Sequence, residues 1–263
     1  MFSKIDYTPC IDICWDILTY CNFDCPYCFA KKEYQTAAIM SKKSIDMVIE
    51  IISSINNKVV VGLLGGEPTI HPLFEYIVSR LADVSNVIRI KVVTNSSKDL
   101  TNVSRSAKIH YCLSYHPTEN RFCLKNLTLP NTTVYVLMLK KYMDEIYDFY
   151  NIAAKHNVGI IPEYIVSGDN VNIFSTKLVD PAQYNDNGVT STFAECYGSS
   201  FKGHRCHLSH YKITAHGDIL VECIDKKIGT IYTPRIADHI VIRPIVCTNE
   251  RCTDDFLLEM MKE

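Results

Sequence analysis

The chain has 263 residues, 47% hydrophobic and 21% charged, the balance of an ordinary globular protein with room for one α/β domain plus an appendage, or two modest domains. A formal charge of −2, with lysines in scattered pairs (Lys42–Lys43, Lys140–Lys141, Lys226–Lys227), argues against a basic stripe for duplex nucleic acid. The longest apolar stretch, Val59–Leu64, is far short of the roughly 20 residues that cross a bilayer, and Met1–Asp6 carries no apolar signal region, so a cytoplasmic protein without a membrane partner is expected.

Strand-like and helix-like patterns alternate along the first 166 residues. Ile11–Tyr20 reads as a strand. Ser44–Ile55 has apolar residues at helical spacing (Ile45, Val48, Ile49, Ile52), with Ser41 or Ser44 as its cap. Val59–Leu64 is a continuous apolar run ending in Gly-Gly, as in a buried parallel strand. Leu73–Leu81 reads as a helix, Val87–Val93, Ile109–Ser114 and Thr133–Leu139 as strands, Met143–His156 as a helix and Gly159–Val166 as a sixth strand. This is close to six β–α repeats, which implies a parallel sheet, either doubly wound or partly closed into a barrel. In both, functional residues collect past the carboxyl ends of the strands. Cys21, Gly65-Gly66-Glu67, Thr94-Asn95 and Tyr115-His116 all fall there.

Beyond about residue 167 the pattern changes. Ser167–Ser200 is rich in Asn, Asp, Ser, Thr and Gly, a loop or linker composition. Two short strands, Tyr211–Thr214 and Ile219–Glu222, then flank His216-Gly217-Asp218, a hairpin signal.

Twelve cysteines in a chain without a secretory signal direct attention to metal ligation, catalysis or burial over disulfides. Cys21, Cys25 and Cys28 pack three thiols into eight residues with the spacing C-x3-C-x2-C. Three soft ligands from one loop reach three corners of a cubane and leave one iron open, whereas a structural zinc site wants four protein ligands. The loop Cys21-Asn-Phe-Asp-Cys25-Pro-Tyr-Cys28, with aromatic Tyr27 before the third cysteine, resembles the signature of the radical S-adenosylmethionine (radical SAM) superfamily. Gly65-Gly66-Glu67-Pro68, at the next strand end, resembles that family's GGEP element.

The resemblance implies a partial (β/α)6 TIM-like barrel over residues 1–170 and a [4Fe–4S] cluster on Cys21, Cys25 and Cys28. It also implies S-adenosylmethionine (SAM) held by Tyr27, Gly65, Gly66 and Glu67, with the glutamate on the methionine amino group. Thr94-Asn95 and Ser114 stand where family members contact the carboxylate and ribose, although Ser114 is followed by Tyr115-His116 and not by the Leu-Asp of one common form. Glu163 and Tyr164 are candidates for the adenine or the substrate, and His116 for proton transfer at the barrel mouth. His71, beside the Gly-Gly turn, is a lesser candidate of the same kind.

Cys206-x10-Gly217-x5-Cys223, followed by Cys247-x4-Cys252, resembles the SPASM or shorter Twitch auxiliary-cluster module, expected within residues 171–263 as a small β-hairpin and helix unit holding a second [4Fe–4S] or [2Fe–2S] cluster. Cys196 is a rival ligand. The implied activity is reductive cleavage of SAM to a 5′-deoxyadenosyl radical that abstracts a substrate hydrogen, for oxidation or cross-linking of a small-molecule, nucleotide-like or short peptide substrate. An electron donor such as flavodoxin or ferredoxin is implied too, and oxygen sensitivity. A non-catalytic iron–sulfur redox sensor or a zinc-binding module is the alternative.

Overall fold

The first strand shows how the sheet divides the chain. In the computed structural model, which describes residues 10–28, 30, 36–164, 205–221, 224 and 226–246, β1 (Ile11–Asp16) buries Ile11, Ile13 and Trp15 completely on one face. Asp12, Cys14 and Asp16 alternate with them and therefore lie on the other, as the two-residue period of a strand dictates. The Trp15 indole donates to Met40 Sδ at 3.2 Å, which satisfies its N–H inside the core.

β2 (Val59–Leu64), β3 (Val87–Thr94), β4 (Ile109–Tyr115), β5 (Thr132–Met138) and β6 (Gly159–Tyr164) follow β1 in parallel, each beside its predecessor. Their outer positions (Val61, Leu63, Ile90, Val92, Tyr111, Leu113, Val134, Val136) join the core that also takes the apolar stripes of the helices. Those helices are α1 (Lys42–Ser53), α2 (Phe74–Asp83) and α3 (Met143–Ala153). Ile45, Val48, Ile49 and Ile52 are the buried stripe of α1. Each such side chain contributes about 1.5–3 kcal/mol of transfer free energy. Ser41 caps α1 by accepting from the Ser44 backbone N–H at 3.2 Å.

The inner face mixes charged and polar side chains with apolar ones such as Val60, Val93 and Leu137. Register aligns Cys14 with Gly62, Gly62 with Lys91 and Lys91 with His110. The Lys91 ammonium sits 2.9 Å from the buried Asp12 carboxylate, and His210 Nε2 lies 3.4 Å from the same oxygen. Burial alone would push the Asp12 carboxyl up, but the nearby His210 ring and the hydrogen-bonded Lys91 ammonium outweigh it and hold it below its ordinary value.

The sheet is thus the expected α/β partial barrel of six parallel strands, with fewer helices than six β–α repeats imply. Among the described residues, β3 and β4 are joined without an α-helix, and β4 and β5 by a 3-10 turn at Leu124–Thr128. The hairpin predicted around Gly217 is present as β8 (His210–Ile213) and β9 (Asp218–Val221), turning at Gly217 with φ of 87°. It does not stand apart: β8 pairs in parallel with β1, and β9 and β10 (Lys226–Thr230) extend the same sheet to nine strands. β7 (Arg205–Leu208) and β11 (Arg243–Val246) form a separate antiparallel pair, with Cys206 opposite Ile245. Among the described residues no helix is long and apolar enough to cross a membrane.

Candidate functional site

The cysteine loop leaves the carboxyl end of β1 and is held by the ends of the next three strands. β2 contributes the Gly65-Gly66 turn. Gly66 N–H donates to Leu18 O at 3.0 Å and Glu67 N–H to Tyr20 O at 2.9 Å, so the turn is hydrogen-bonded to the segment entering Cys21. A Cβ on Gly66 would stand 2.0 Å from Tyr20 O, and one on Gly65, whose φ is 125°, 2.1 Å from Leu18 O. The glycines thus allow two backbones of this chain to touch. The sequence reading expected that closeness toward a ligand; here it also serves the cysteine loop.

Glu67 is 1% exposed and braces the end of β3. Its Oε1 accepts from Thr69 N–H at 3.0 Å, Thr69 Oγ1 at 2.5 Å and Thr94 Oγ1 at 2.6 Å, and its Oε2 accepts from Asn95 N–H at 2.7 Å. Burial pushes the carboxyl up and these hydrogen bonds only partly offset it. Oε2, with one of these bonds, keeps capacity for an outside donor such as an ammonium. Thr94 and Asn95 are likewise engaged within the chain. The Asn95 amide donates to Asn22 Oδ1 at 2.9 Å and lies 3.8 Å from Cys21 Sγ, and Asn22 in turn donates to Ser97 Oγ at 2.9 Å.

The segment after β4 closes the third side. His116 Nδ1 lies 3.1 Å from the Tyr27 hydroxyl and 3.6 Å from Cys25 Sγ, and Tyr27 also meets Thr118 Oγ1 at 3.1 Å. The His116 ring is parallel to that of Tyr27 and edge-on to Phe23, with centroids 6.0 and 5.7 Å apart. Arg121 donates to Asn22 O at 3.0 Å and lies 4.6 Å from the Phe23 ring centre. Burial lowers the His116 pKa to about 4, so the ring is neutral at physiological pH. The sequence reading offered His116 for proton exchange with a substrate; in the structure its Nδ1 faces the cysteine loop.

Cys21 and Cys25 are shifted by burial and by neighbouring charge. Burial pushes Cys25 up to about 11, with the charges of Glu119, Cys21 and Cys28 adding to the rise, and burial pushes Cys21 up as well. Cys21 Sγ accepts from Phe23 N–H at 3.4 Å. Buried sulfurs that resist ionisation alone but have an N–H donor fit an iron–sulfur cluster, whose irons take thiolates and remove that cost. Among the described residues no three His, Cys, Asp or Glu side chains are grouped as ligands of a single ion. A cubane makes a different demand, since each thiolate holds its own corner iron.

Ser114 and Glu163 lie on the inner face, at the ends of β4 and β6, half-buried. Tyr164 ends β6. His71 is structural: its Nδ1 accepts from Leu73 N–H at 3.0 Å and its Nε2 meets Met40 O at 3.1 Å, the arrangement of a neutral ring. Of the expected auxiliary ligands, Cys206 is described by its backbone on β7. Cys223, Cys247, Cys252 and their rival Cys196 lie outside the described residues, as does the whole of the expected linker over 167–200. The braces Asn22, Ser97, Thr118 and Arg121 were not anticipated. Their signal was position alone, polar residues within six of a motif cysteine or strand end.

The family model described as the Radical SAM superfamily matches residues 15–111. No curated protein sequence matches the chain. Among solved structures, Streptococcus suis SuiB bound to its precursor peptide SuiA is similar with a TM-score of 0.60 at 14% identity, over 96% of this chain and 66% of SuiB, so the chain spans just under two thirds of that protein. Native anSMEcpe with AdoMet and the Cp18Cys peptide gives a TM-score of 0.52 at 15% identity, over 87% and 80% of the two chains. BtrN with AdoMet and 2-DOIA gives 0.50 at 16% identity, over 86% and 80%. At these identities the likeness is one of fold.

Proposed function

From the match of residues 15–111 to the radical SAM model, we propose that the chain is a radical SAM enzyme, cleaving SAM reductively and using the resulting radical to oxidise or cross-link a small molecule or peptide. The observation that carries this reading is the loop of Cys21, Cys25 and Cys28, whose entering segment is hydrogen-bonded to Gly66 and Glu67 and whose Cys21 sulfur meets Asn95, at one edge of a parallel sheet. When bound, the cluster and SAM supply one electron and a 5′-deoxyadenosyl radical.

The protein's own residues do the rest. Cys21, Cys25 and Cys28 would hold the cluster as thiolates. Glu67 Oε2 offers a carboxylate to the methionine ammonium, and Thr94 and Asn95 fix its direction. The inner face, with Lys91, His110, Ser114 and Glu163, suits a polar substrate. A peptide is supported by the SuiA and Cp18Cys complexes, and a small molecule by the BtrN complex with 2-DOIA.

An auxiliary cluster on Cys206, Cys223, Cys247 and Cys252, within a unit spanning residues 171–263, completes the proposal. The pairing of β7 with β11 supports it, because Cys247 directly follows β11 in sequence. Four protein ligands favour electron transfer from an oxidised substrate over substrate ligation. A flavodoxin or ferredoxin is the proposed donor and the cytoplasm the proposed compartment.

The test is anaerobic: reconstitute with iron and sulfide, reduce with dithionite, add SAM and assay 5′-deoxyadenosine in wild type and Cys25→Ala. Deoxyadenosine from the wild type alone supports the reading. A zinc-loaded, iron-free protein, or no deoxyadenosine from protein holding cluster and SAM, overturns it.

A further inference from the structure

We infer that His116 and the Tyr27 hydroxyl, joined to Thr118, are hydrogen-bond donors to the Cys25 sulfur that raise the reduction potential of the cluster held by the cysteine loop. The inference rests on the proposed function and adds to it a positioning and tuning role for residues that touch a ligand thiolate.

The geometry has three parts. His116 Nδ1 is 3.6 Å from Cys25 Sγ, within reach of an N–H···S bond, which is longer than one to oxygen. The Tyr27 hydroxyl is 3.1 Å from the same nitrogen, which is itself the group facing the sulfur. Thr118 Oγ1, 3.1 Å from that hydroxyl, can accept from or donate to it and so fixes its rotation. Packing prevents the ring from turning away: Phe23 abuts it edge-on and Tyr27 lies parallel to it. Arg121 holds Phe23 and Asn22 from outside.

The sulfur therefore faces a donor that has few other orientations. An Nδ1–H tautomer places its hydrogen between Cys25 Sγ and the Tyr27 oxygen, and the Tyr27 hydrogen remains for the sulfur or for Thr118.

One-electron reduction of an iron–sulfur cluster by a low-potential donor breaks and forms no bond, and the added charge spreads onto the sulfurs. Donors aimed at a ligand sulfur stabilise that charge more than they stabilise the oxidised state. Hydrogen bonds to sulfur are among the factors that set cluster potentials. Cys21 has its own donors, Phe23 N–H at 3.4 Å and the Asn95 amide at 3.8 Å. The His116 and Tyr27 pair supplies the matching interaction at Cys25, from a different strand end.

The experiment is a redox titration followed by electron paramagnetic resonance on reconstituted full-length protein without substrate. The signal is assigned to the cysteine loop by its change of shape when SAM is added. His116→Phe keeps the ring packing and removes the donor. It is expected to raise the ratio of oxidised to reduced cluster about tenfold at a fixed potential, a midpoint about 59 mV lower for a one-electron couple. Tyr27→Phe is expected to shift the ratio in the same direction by a smaller factor, and His116→Gln, which can restore an N–H donor, to recover part of the loss. An unchanged midpoint in His116→Phe with wild-type iron and sulfide content overturns the inference and leaves the proposed function standing. If His116→Phe takes up no iron, Tyr27→Phe decides by the same criterion. A wild type that binds no iron overturns both.

Discussion

Gly66→Ala should part the cysteine loop from the end of β2. The added Cβ would lie 2.0 Å from Tyr20 O, 2.1 Å from Tyr20 C and 2.6 Å from Cys21 N, all backbone atoms that cannot rotate away. Reaching even a tight 3.0 Å requires a separation of about 1 Å. Such a shift breaks or badly stretches the bonds Gly66 N–H to Leu18 O and Glu67 N–H to Tyr20 O, now 3.0 and 2.9 Å. Two amides losing partners at about 1–3 kcal/mol each give a destabilisation of about 2–6 kcal/mol. That is a large part of the stability of an ordinary domain. Gly62→Ala is the control, since its Cβ would meet only the flexible end of Leu64 at 3.0 Å and Ile13 O at 3.9 Å. It should stay within about 1 kcal/mol of the wild type. Urea denaturation of the apo-protein reads stability, and iron content after anaerobic reconstitution reads the loop. A Gly66→Ala protein with the Gly62→Ala midpoint and wild-type iron would refute the idea that this contact organises the cysteine loop.

Glu67→Gln keeps the side chain's shape but turns an amide N–H₂ toward at least one of four donors; a loss of about 2–4 kcal/mol is expected in urea titrations, and weaker SAM retention in equilibrium dialysis. Equal stability would mean that the four bonds do not restrain the strand ends. Asn126, fully buried, donates to Ser96 Oγ at 2.8 Å and Lys98 O at 2.7 Å and accepts from Leu100 N–H at 2.9 Å. Asn126→Ala should therefore cost about 2–4 kcal/mol, and hydrogen exchange should show faster opening across residues 96–100. The depressed Asp12 pKa means that its contribution is complete above the ordinary carboxylate value and is lost as pH falls through the lower folded value. Urea midpoints of the wild type should drop as pH falls below the ordinary carboxylate value, with a slope that Asp12→Asn reduces; parallel curves would contradict the pairing with Lys91 and His210.

The parallel strands and the three α-helices could be read from the sequence because each carries a one-dimensional signal. The apolar run Val59–Leu64 has to be covered on both sides, and Ile45, Val48, Ile49 and Ile52 fall on one helical face. The cysteine spacing and the Gly-Gly-Glu-Pro turn were equally legible, since the glycines mark a close approach wherever it occurs. What they approach was not, because Leu18 O and Tyr20 O are backbone atoms with no signature in composition. The connection from β3 to β4 was assigned no helix, and the structure holds it by Asn126 and a positive φ at Ser96. The joining of β8 to β1 was hidden for another reason. Strand pairing between residues about 200 apart depends on edges that open only once the rest of the sheet exists.

The strict alternation of β1 carries the larger lesson. Ile-Asp-Ile-Cys-Trp-Asp commits one face to the helices and leaves the other to charge, and β3 and β4 repeat the division with Lys91 and His110. The charged positions on this face have to be hydrated, ion-paired or met by something polar, as Asp12 is by Lys91. The strand ends above it are meanwhile tied to one another through Glu67, Asn95 and Asn22 before any cofactor arrives. On the proposed function, strand ends tied together around a loop of three thiols would serve the cofactor, and the face below would select the substrate. Substitutions on the inner face at Lys91 or His110 should therefore act on which substrate is used, while those at Gly66, Glu67 and Asn95 should act on whether the cysteine loop is assembled at all.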